Sequence, residues 1–147
     1  MDEVKRILVP LNGGPLDRET MGLACELAKR GRVRVYAIHV IEVKRTLPLE
    51  VELPDEVQKG EGILRAAEEV ASKWRQDIET EMLQARDAGT AIVEEVERRG
   101  IDLVVMGLRY RRQYDQFYIG STVMHVLKNA PCRVCICREP IPRTPQG

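Results

Sequence analysis

The residues best suited to binding chemistry lie in one stretch, from Val104 to Val134. This stretch leaves an apolar strand at Gly107, carries arginine and aromatic residues, and enters a helix through Gly120-Ser121-Thr122. A loop that opens a helix exposes backbone N–H groups, and these groups act with the helix dipole to bind phosphate. The sequence therefore predicts a phosphate-binding loop. Its candidate cationic contacts are Arg109, Arg111 and Arg112.

The side chains of this loop have alternative interpretations. Its aromatic residues are Tyr110, Tyr114, Phe117 and Tyr118. They either stack on a base or pack the loop onto the domain, and we favour packing for Phe117 and Tyr118. The arginines either contact phosphate or form a solvated surface with Asp115 as ion-pair partner. Interleaved basic and aromatic residues also occur in proteins that bind single strands, but 23 basic and 23 acidic residues leave no net field, so we predict no nucleic-acid binding.

Catalytic chemistry is not predicted. Neither His39 nor His125 has a sequence signature that pairs it with a nucleophile and an orienting acid, so we expect structural roles for both. Ser121 is expected to cap its helix or to contact a phosphate. We therefore assign no catalytic residue and no metal ligand, and we do not predict an enzyme.

The four cysteines, Cys25, Cys132, Cys135 and Cys137, lack the paired spacing of a metal site. Cys132 and Cys135 lie on a predicted strand, where their thiols point to opposite faces with Cα atoms about 10 Å apart. That separation exceeds the ~7 Å limit for a disulfide. No apolar run approaches the ~20 residues of a membrane span, and no signal peptide is visible. We predict a cytoplasmic protein with reduced thiols that binds no membrane.

The elements that must position the loop alternate between strand and helix. Predicted strands are 5–11, 33–41, an edge strand containing Ile78, Thr80 and Met82, 101–106 and 132–137. Predicted helices are 16–30 with Gly31 as its stop, 56–75 after a loop over 42–55, one capped by Asp87 and closed by Gly100, and 122–129. The alternation predicts one α/β domain over 1–138, a five-stranded parallel sheet in the order 3-2-1-4-5 with helices on both faces. The proline-rich tail, 139–147, is predicted to be disordered.

In such a sheet the ligand lies beyond the carboxyl ends of the strands, where the strand order reverses. With strands one and four as central neighbours, the crevice is walled by residues 10–14 on one side and 107–120 on the other. The two glycine-containing corners then converge on one site.

These residues resemble the universal stress protein family over nearly the whole chain. The family's nucleotide motif is Gly, two residues, Gly, nine residues, Gly, then Ser or Thr, and Gly107 and Gly120-Ser121 match its ends. Further matches are Ile7-Leu8-Val9-Pro10, His39-Val40-Ile41, the run from Asp102 to Gly107, and Pro131. The resemblance implies a Rossmann-like fold of the adenine nucleotide alpha hydrolase type.

The resemblance also implies a ligand, ATP or another adenine nucleotide. In the family members that bind ATP, adenine and ribose lie near the ends of strands one and two, and the motif amides hold the phosphates. This implies that Pro10, Leu11 and Val40 border the base, while Asn12 contacts the ribose. The implied nucleotide-binding residues are Pro10, Leu11, Asn12, Val40, Met106, Gly107, Arg109, Arg111, Arg112, Gly120, Ser121 and Thr122.

Two positions depart from the family pattern. Tyr110 replaces the second motif glycine, which adds bulk and a left-handed backbone cost of about 1–2 kcal/mol. Asn12 replaces an aspartate, so it keeps an oxygen for a ribose hydroxyl but serves a divalent cation less well, and we expect no magnesium requirement. A charged hydrogen bond from an arginine contributes about 1.5–3 kcal/mol, which is enough to offset the lost glycine. These magnitudes therefore do not decide between a remodelled nucleotide site and a lost one.

The last strand is the predicted dimer contact. Its apolar edge would otherwise be exposed, and the resemblance implies antiparallel pairing with a second copy across a two-fold axis. The interface residues are Val134, Cys135, Ile136 and Cys137. The leading hypothesis is a dimeric regulator that binds ATP, ADP or AMP. The alternatives are a nucleotide-independent signalling module with an unidentified protein partner, and a slow ATP hydrolase or phosphotransferase, which lacks an evident base and metal carboxylate.

Overall fold

The computed structural model describes residues 3–110, 112–113, 116–117, 119–141 and 143, with 112–113 and 116–117 described by their backbone. The strands are β1 (Arg6–Pro10), β2 (Arg34–Glu42), β3 (Ile78–Ala85), β4 (Leu103–Leu108), β5 (Arg112–Gln113), β6 (Gln116–Phe117) and β7 (Arg133–Arg138). The helices are α1 (Asp17–Ala28), α2 (Pro54–Lys73), α3 (Ala88–Arg99) and α4 (Ser121–Asn129). Most bounds differ from the predicted ones by one or two residues, because helix and strand ends depend on individual hydrogen bonds.

Five strands form one parallel sheet in the order β3-β2-β1-β4-β7. The order reverses between β1 and β4, which confirms the predicted 3-2-1-4-5 arrangement of a doubly wound, Rossmann-like fold. Ile7, Leu8 and Val9 of β1 are fully buried, as expected of a central strand covered on both faces. The β3 strand, with its exposed Glu79, lies at an edge as predicted.

The segment between β4 and α4 contains a feature that the sequence did not predict. β5 and β6 pair antiparallel, with Arg112 opposite Phe117, so the prediction of a plain loop is wrong over these residues. Two-residue strands are too short to produce a hydrophobic period. Several predictions lie outside the described residues and side chains, namely those for Arg111, Tyr114, Asp115 and Tyr118 and for the side chains of Arg112 and Phe117. The predicted disorder of the tail extends over residues 142 and 144–147, which also lie outside the described residues.

Helices cover both faces of the sheet, and alternate residues of each strand face one pair of helices or the other. Ile7 and Val9 pack with α1 and α2. Leu8 and Val104 pack with α3 and α4. Because both faces are covered, the accessible part of the central strands is their carboxyl end, where the β1–α1 and β4–α4 connections meet.

The helix ends agree with the predicted signals at α3 and differ at α1. Asp87 caps α3 by accepting the Gly89 N–H at 3.1 Å, and Gly100 ends it in the left-handed region with φ +63°. At α1 the C-cap is Lys29, and Gly31 does not adopt a positive φ. The helix therefore ends two residues before the predicted end at residue 30, with right-handed backbone at its cap.

A group of charged side chains joins α3 to the outer strand of the sheet. We call it the sheet-edge ion cluster; its members are Glu79, Glu81, Glu95, Arg98 and Arg99. Glu95 is buried and accepts hydrogen bonds from Arg98 at 2.7 Å and Arg99 at 2.8 Å. Burial opposes ionisation of Glu95, but the hydrogen bonds from the two arginines outweigh it and hold its pKa below the ordinary value. The cluster is thus a paired set of charges.

Candidate functional site

A cleft of about 530 Å³ opens at the carboxyl end of the sheet, within the size range of small-molecule sites. It lies where the strand order reverses, between the β1–α1 turn, the ends of β2 and β4, and the first residues of α3 and α4. Its lining residues are Pro10, Leu11, Asn12, Gly13, Gly14, Pro15, Leu16, Asp17, Ile38, His39, Val40, Ile41, Glu42, Glu56, Ala88, Ile92, Met106, Gly107, Arg109, Thr122 and Val123.

The structure brings eight of the predicted nucleotide-binding residues together in this lining. They are Pro10, Leu11, Asn12, Val40, Met106, Gly107, Arg109 and Thr122. Gly120 and Ser121 lie at the exposed start of α4, next to Thr122 but outside the lining. Arg111 and the side chain of Arg112 fall outside the described part of the chain.

The β1–α1 turn is held by side chains of its own segment. Asp17 accepts the Gly13 N–H at 2.8 Å and the Asn12 N–H at 3.4 Å. Asn12 Oδ1 in turn accepts the Gly14 N–H at 2.8 Å. Gly13 has φ +83°, a conformation that favours glycine. The turn is therefore closed on itself, and its backbone N–H groups point at an internal carboxylate.

Asp17 was not among the predicted site residues. Burial raises the pKa of its carboxyl group, although the hydrogen bonds from Gly13 and Asn12 and the nearby His39 act in the opposite direction. An acidic residue in the first helical turn after a Gly-Gly-Pro corner was the available signal, since such residues are favourable near helix N-termini. The side chain reaches back only four and five residues along the chain, to Gly13 and Asn12.

His39 links the two strands that border the cleft. Its Nδ1 lies 2.8 Å from the Leu11 carbonyl oxygen. A carbonyl oxygen only accepts, so Nδ1 carries the proton and Nε2 of the neutral ring is an acceptor. The ring also packs against α2, where a Cβ on Gly60 would lie 3.0 Å from His39 Cδ2 and 2.8 Å from Met82 Sδ. Gly60 therefore lets α2 approach the sheet beside the cleft.

Gly107 has a packing role that the motif does not reveal. A Cβ at this position would lie 2.8 Å from Thr20 Oγ1 and 3.0 Å from Leu16 Cβ. Thr20 cannot move freely, because it is buried and donates its hydroxyl hydrogen to the Leu16 carbonyl at 2.8 Å. Glycine at 107 is thus needed for α1 to pack on β4, independently of any ligand.

The start of α4 differs from the starts of the other helices around the cleft. Gly120 is the N-cap, with φ −63°, and no side chain in the described part of the chain caps the helix. The prediction that Ser121 caps α4 is therefore wrong, because Ser121 is already the first helical residue. The first turn carries no acidic residue, so no carboxylate of this turn competes for its N–H groups. A Cβ on Gly120 would meet nothing within 4 Å.

The ring of Tyr110 packs at the end of β7. Its N–H donates to Glu139 Oε1 at 2.7 Å, and its ring centroid lies 5.4 Å from the Arg138 guanidinium carbon. Among the described residues, Arg75 is the non-glycine residue with positive φ, so the predicted left-handed strain at Tyr110 is wrong. The tyrosine does not line the cleft, because contacts with the end of β7 hold it elsewhere.

The β7 strand forms the sheet edge opposite β3. Its residues from Val134 to Cys137 are half-buried. Cys135 packs towards α1 and α2, while Cys132 packs towards α3 and α4, so their thiols lie on opposite faces, as predicted. All four cysteines are unpaired, and burial raises the pKa of the Cys25, Cys132 and Cys137 thiols.

Two further kinds of site are absent from the described residues. No three His, Cys, Asp or Glu side chains in this part of the chain converge in a way that could hold a metal ion. No helix within it combines the length and apolar character needed to cross a membrane.

Known proteins share both the sequence pattern and the fold. The model of the universal stress protein family matches residues 3–138. Universal stress protein MJ0531 of Methanocaldococcus jannaschii is 34% identical over 142 residues, which cover 92% of this chain and 83% of that protein.

Solved structures extend the likeness to the fold. The universal stress protein of Archaeoglobus fulgidus has a TM-score of 0.76 at 18% identity, covering 92% of this chain and 98% of that one; the same organism's universal stress protein has been solved with dAMP, with a TM-score of 0.70 at 16% identity and the same coverage. A family protein of Arabidopsis thaliana with AMP bound has a TM-score of 0.66 at 15% identity, covering 97% and 96% of the two chains. At these identities the structures show the fold alone. The family model over residues 3–138 and the 34% identical relative establish that this chain belongs to the universal stress protein family.

Proposed function

We propose that the protein binds an adenine nucleotide, ATP, ADP or AMP, in the cleft and acts as a regulator rather than as an enzyme. The observation that carries the proposal is the juxtaposition of an apolar wall with an uncapped helix start across one cleft at the strand-order reversal. Family proteins of the same fold have been solved with dAMP and AMP.

The apolar wall suits a purine base. Pro10, Leu11, Val40 and Met106 all line the cleft, and they come from the ends of three neighbouring strands. A flat heteroaromatic ring gains from burial between such side chains, while a few polar groups at the border fix its orientation. Asn12 is one of these groups. Because its Oδ1 accepts the Gly14 N–H, its Nδ2 is the atom that remains to contact a ribose oxygen.

The start of α4 suits a phosphate. The first-turn N–H groups and the helix dipole favour an anion there. Thr122 lines the cleft from this turn, and Arg109 lines it from the end of β4. Arg109 is exposed and makes no ion pair with any described residue, so its guanidinium is available for a charged hydrogen bond.

A nucleotide titration tests this site. Protein is unfolded, refolded free of ligand and titrated with ATP, ADP and AMP by calorimetry. A Gly120→Val variant should lose at least tenfold in affinity, because its side chain would occupy the open space in front of the α4 amides. Gly62→Val is the matched control, since a Cβ at Gly62 also meets nothing within 4 Å and lies on α2 outside the cleft lining. Equal affinity in both variants would refute the assigned phosphate position.

The second candidate is a signalling module that has given up nucleotide. One contact favours this candidate. Tyr110 stands at the position of the second motif glycine, and its N–H already donates to Glu139. No heat of binding at millimolar nucleotide would select this candidate.

A catalytic role is not part of the proposal. His39 Nδ1 contacts the Leu11 carbonyl, so no carboxylate orients this ring as in a hydrolase triad, and the Asp17 carboxylate accepts from two backbone N–H groups. ATP turnover above that of a heat-denatured blank would revive the enzyme hypothesis.

We also propose a homodimer through β7, set in the cytoplasm, where the four thiols would stay reduced. The β7 edge pairs with β4 on one side, and its outer backbone groups would pair with a second copy across a two-fold axis. Native mass spectrometry at micromolar concentration should show the dimer. A monomer alone would contradict it.

A further inference from the structure

The backbone N–H groups around the cleft are its principal phosphate donors, and most of them already have an internal acceptor. In the β1–α1 turn, Asp17 accepts from Asn12 and Gly13, and Asn12 accepts from Gly14. Three successive N–H groups are therefore engaged by side chains of the same segment. A phosphate at this wall would have to displace a carboxylate.

The start of α3 is engaged in the same way. Ala88, which lines the cleft, donates its N–H to Glu42 Oε2 at 3.3 Å. The next N–H, of Gly89, goes to Asp87 Oδ1 at 3.1 Å. Carboxylates thus occupy this helix start, in contrast to the uncapped start of α4.

The β4–α4 segment contains a third internal acceptor. Tyr110 follows Arg109 directly, so its N–H is the next donor along the chain from the cationic side of the cleft. Glu139 accepts this N–H at 2.7 Å. The position of Glu139 is set by the sheet, because its own N–H donates to the Leu108 carbonyl at 3.1 Å and continues the β4–β7 pairing. The carboxylate is held at this amide by backbone geometry.

The charges of the lining act in the same direction. Asp17, Glu42 and Glu56 line the cleft, and Arg109 is the only lysine or arginine among the described lining residues. A second or third phosphate would add negative charge to a cleft that already contains these carboxylates, and like charges repel each other.

We infer that the site selects a nucleotide with a single phosphate group, and that Glu139 limits the phosphate count by occupying the Tyr110 amide. The inference rests on the proposed nucleotide-binding function and sharpens it. One phosphate is served by the α4 turn and Arg109. A longer phosphate chain extending along the β4–α4 segment meets Glu139, and one extending towards β1 meets Asp17.

Calorimetric titration of AMP and ATP into ligand-free protein, with and without magnesium chloride, tests the selectivity. AMP should bind at least tenfold more tightly than ATP under both conditions, because magnesium reduces the charge of ATP but does not free the Tyr110 amide. Equal or tighter binding of ATP would overturn the inference while leaving the proposed function intact. No binding of either nucleotide would refute the proposed function itself.

Two variants of Glu139 separate the effect of its hydrogen bond to the Tyr110 amide from the effect of its negative charge. Glu139→Gln removes the charge but keeps an oxygen that accepts the Tyr110 N–H, whereas Glu139→Ala frees the amide. ATP affinity should rise at least fivefold in Glu139→Ala, by less in Glu139→Gln, and not at all in the control Glu97→Ala, an exposed carboxylate on α3. AMP affinity should stay within twofold in all three. An equal gain in both Glu139 variants would overturn the role of the occupied amide. Thermal unfolding of each variant verifies that the fold is retained.

Discussion

The sheet-edge ion cluster and the cleft are both rich in charge, but they satisfy their charges differently. In the cluster, acidic side chains are paired with arginines, and Glu95 accepts from two of them. In the cleft, Asp17 and Glu42 accept from backbone N–H groups, and Arg109 has no acidic partner among the described residues. The first arrangement is complete within the chain. The second leaves a cation and an uncapped helix start for an external anion.

The buried Glu95 and the half-buried Asp17 show the same contrast in their pKa shifts. The arginines hold the pKa of Glu95 below its ordinary value despite burial. Burial raises the pKa of Asp17, because backbone N–H groups compensate it only in part. A group that is costly to ionise in the folded state is typical of a site whose geometry serves binding rather than stability.

The largest effect is expected from removing the centre of the cluster. Glu95→Ala would leave Arg99 and its neighbours without their buried acceptor, and breaking such a pair costs about 3 kcal/mol of unfolding free energy. Urea denaturation measures this loss. Glu97→Ala, on the same helix but exposed, should change stability by less than about 0.5 kcal/mol. Equal losses would show that the cluster is no more important than the helix surface.

The next effect concerns the two motif glycines. Gly107→Ala should destabilise the protein by about 1–3 kcal/mol, because its Cβ would overlap the Thr20 hydroxyl. Gly120→Ala should cost less than about 0.5 kcal/mol, since the space around Gly120 is open. Thermal or urea unfolding of both variants checks the difference. Similar stabilities would mean that α1 can shift to accommodate a methyl group.

A smaller effect is expected at the cationic side of the cleft. Arg109→Ala should weaken AMP binding about tenfold, the loss of one charged hydrogen bond, without changing the unfolding free energy. Arg65→Ala, an exposed residue of α2 outside the cleft lining, is the control. Calorimetry and urea unfolding give the two readouts. A loss of stability with unchanged AMP affinity would show that Arg109 stabilises the fold, like the arginines of the sheet-edge ion cluster, and does not contact the ligand.

The smallest effect is a pair of opposite pH dependences. Glu95 has a lowered pKa in the folded state. Its ionisation therefore adds to the unfolding free energy at pH values above the ordinary pKa of 4.5, and this stabilisation is lost as the pH falls through the folded-state pKa. Asp17 has a raised pKa in the folded state. Its protonated form therefore adds to the unfolding free energy at pH values below the ordinary pKa of 3.8, and this stabilisation is lost as the pH rises through the folded-state pKa. Unfolding free energies of wild type, Glu95→Gln and Asp17→Asn across the acidic range measure both. The difference in unfolding free energy between wild type and each variant should change with pH in opposite directions for Glu95→Gln and Asp17→Asn. A change in the same direction for both variants would contradict the contrast.

Local and periodic features of the sequence predicted the architecture. The unbroken apolar runs of β1 and β4 indicated central strands, and the alternation in β3 indicated an edge. The cap at Asp87 and the left-handed Gly100 follow from residues within two positions of the helix ends. The motif spacing also indicated the correct edge of the sheet for the cleft. These features depend on hydrophobic period and local backbone geometry, which neighbouring residues determine.

Only the tertiary structure decided which polar groups of the cleft are already satisfied. Glu139 accepts the Tyr110 N–H across 29 sequence positions, and Gly107 of β4 packs against Thr20 of α1. The glycine-bounded stretch identified a phosphate-binding pattern, but donors and acceptors are paired by the packing of separate elements. Sequence alone therefore determined the fold and the position of the cleft, and long-range contacts decided which of the N–H groups around it already have an acceptor within the chain.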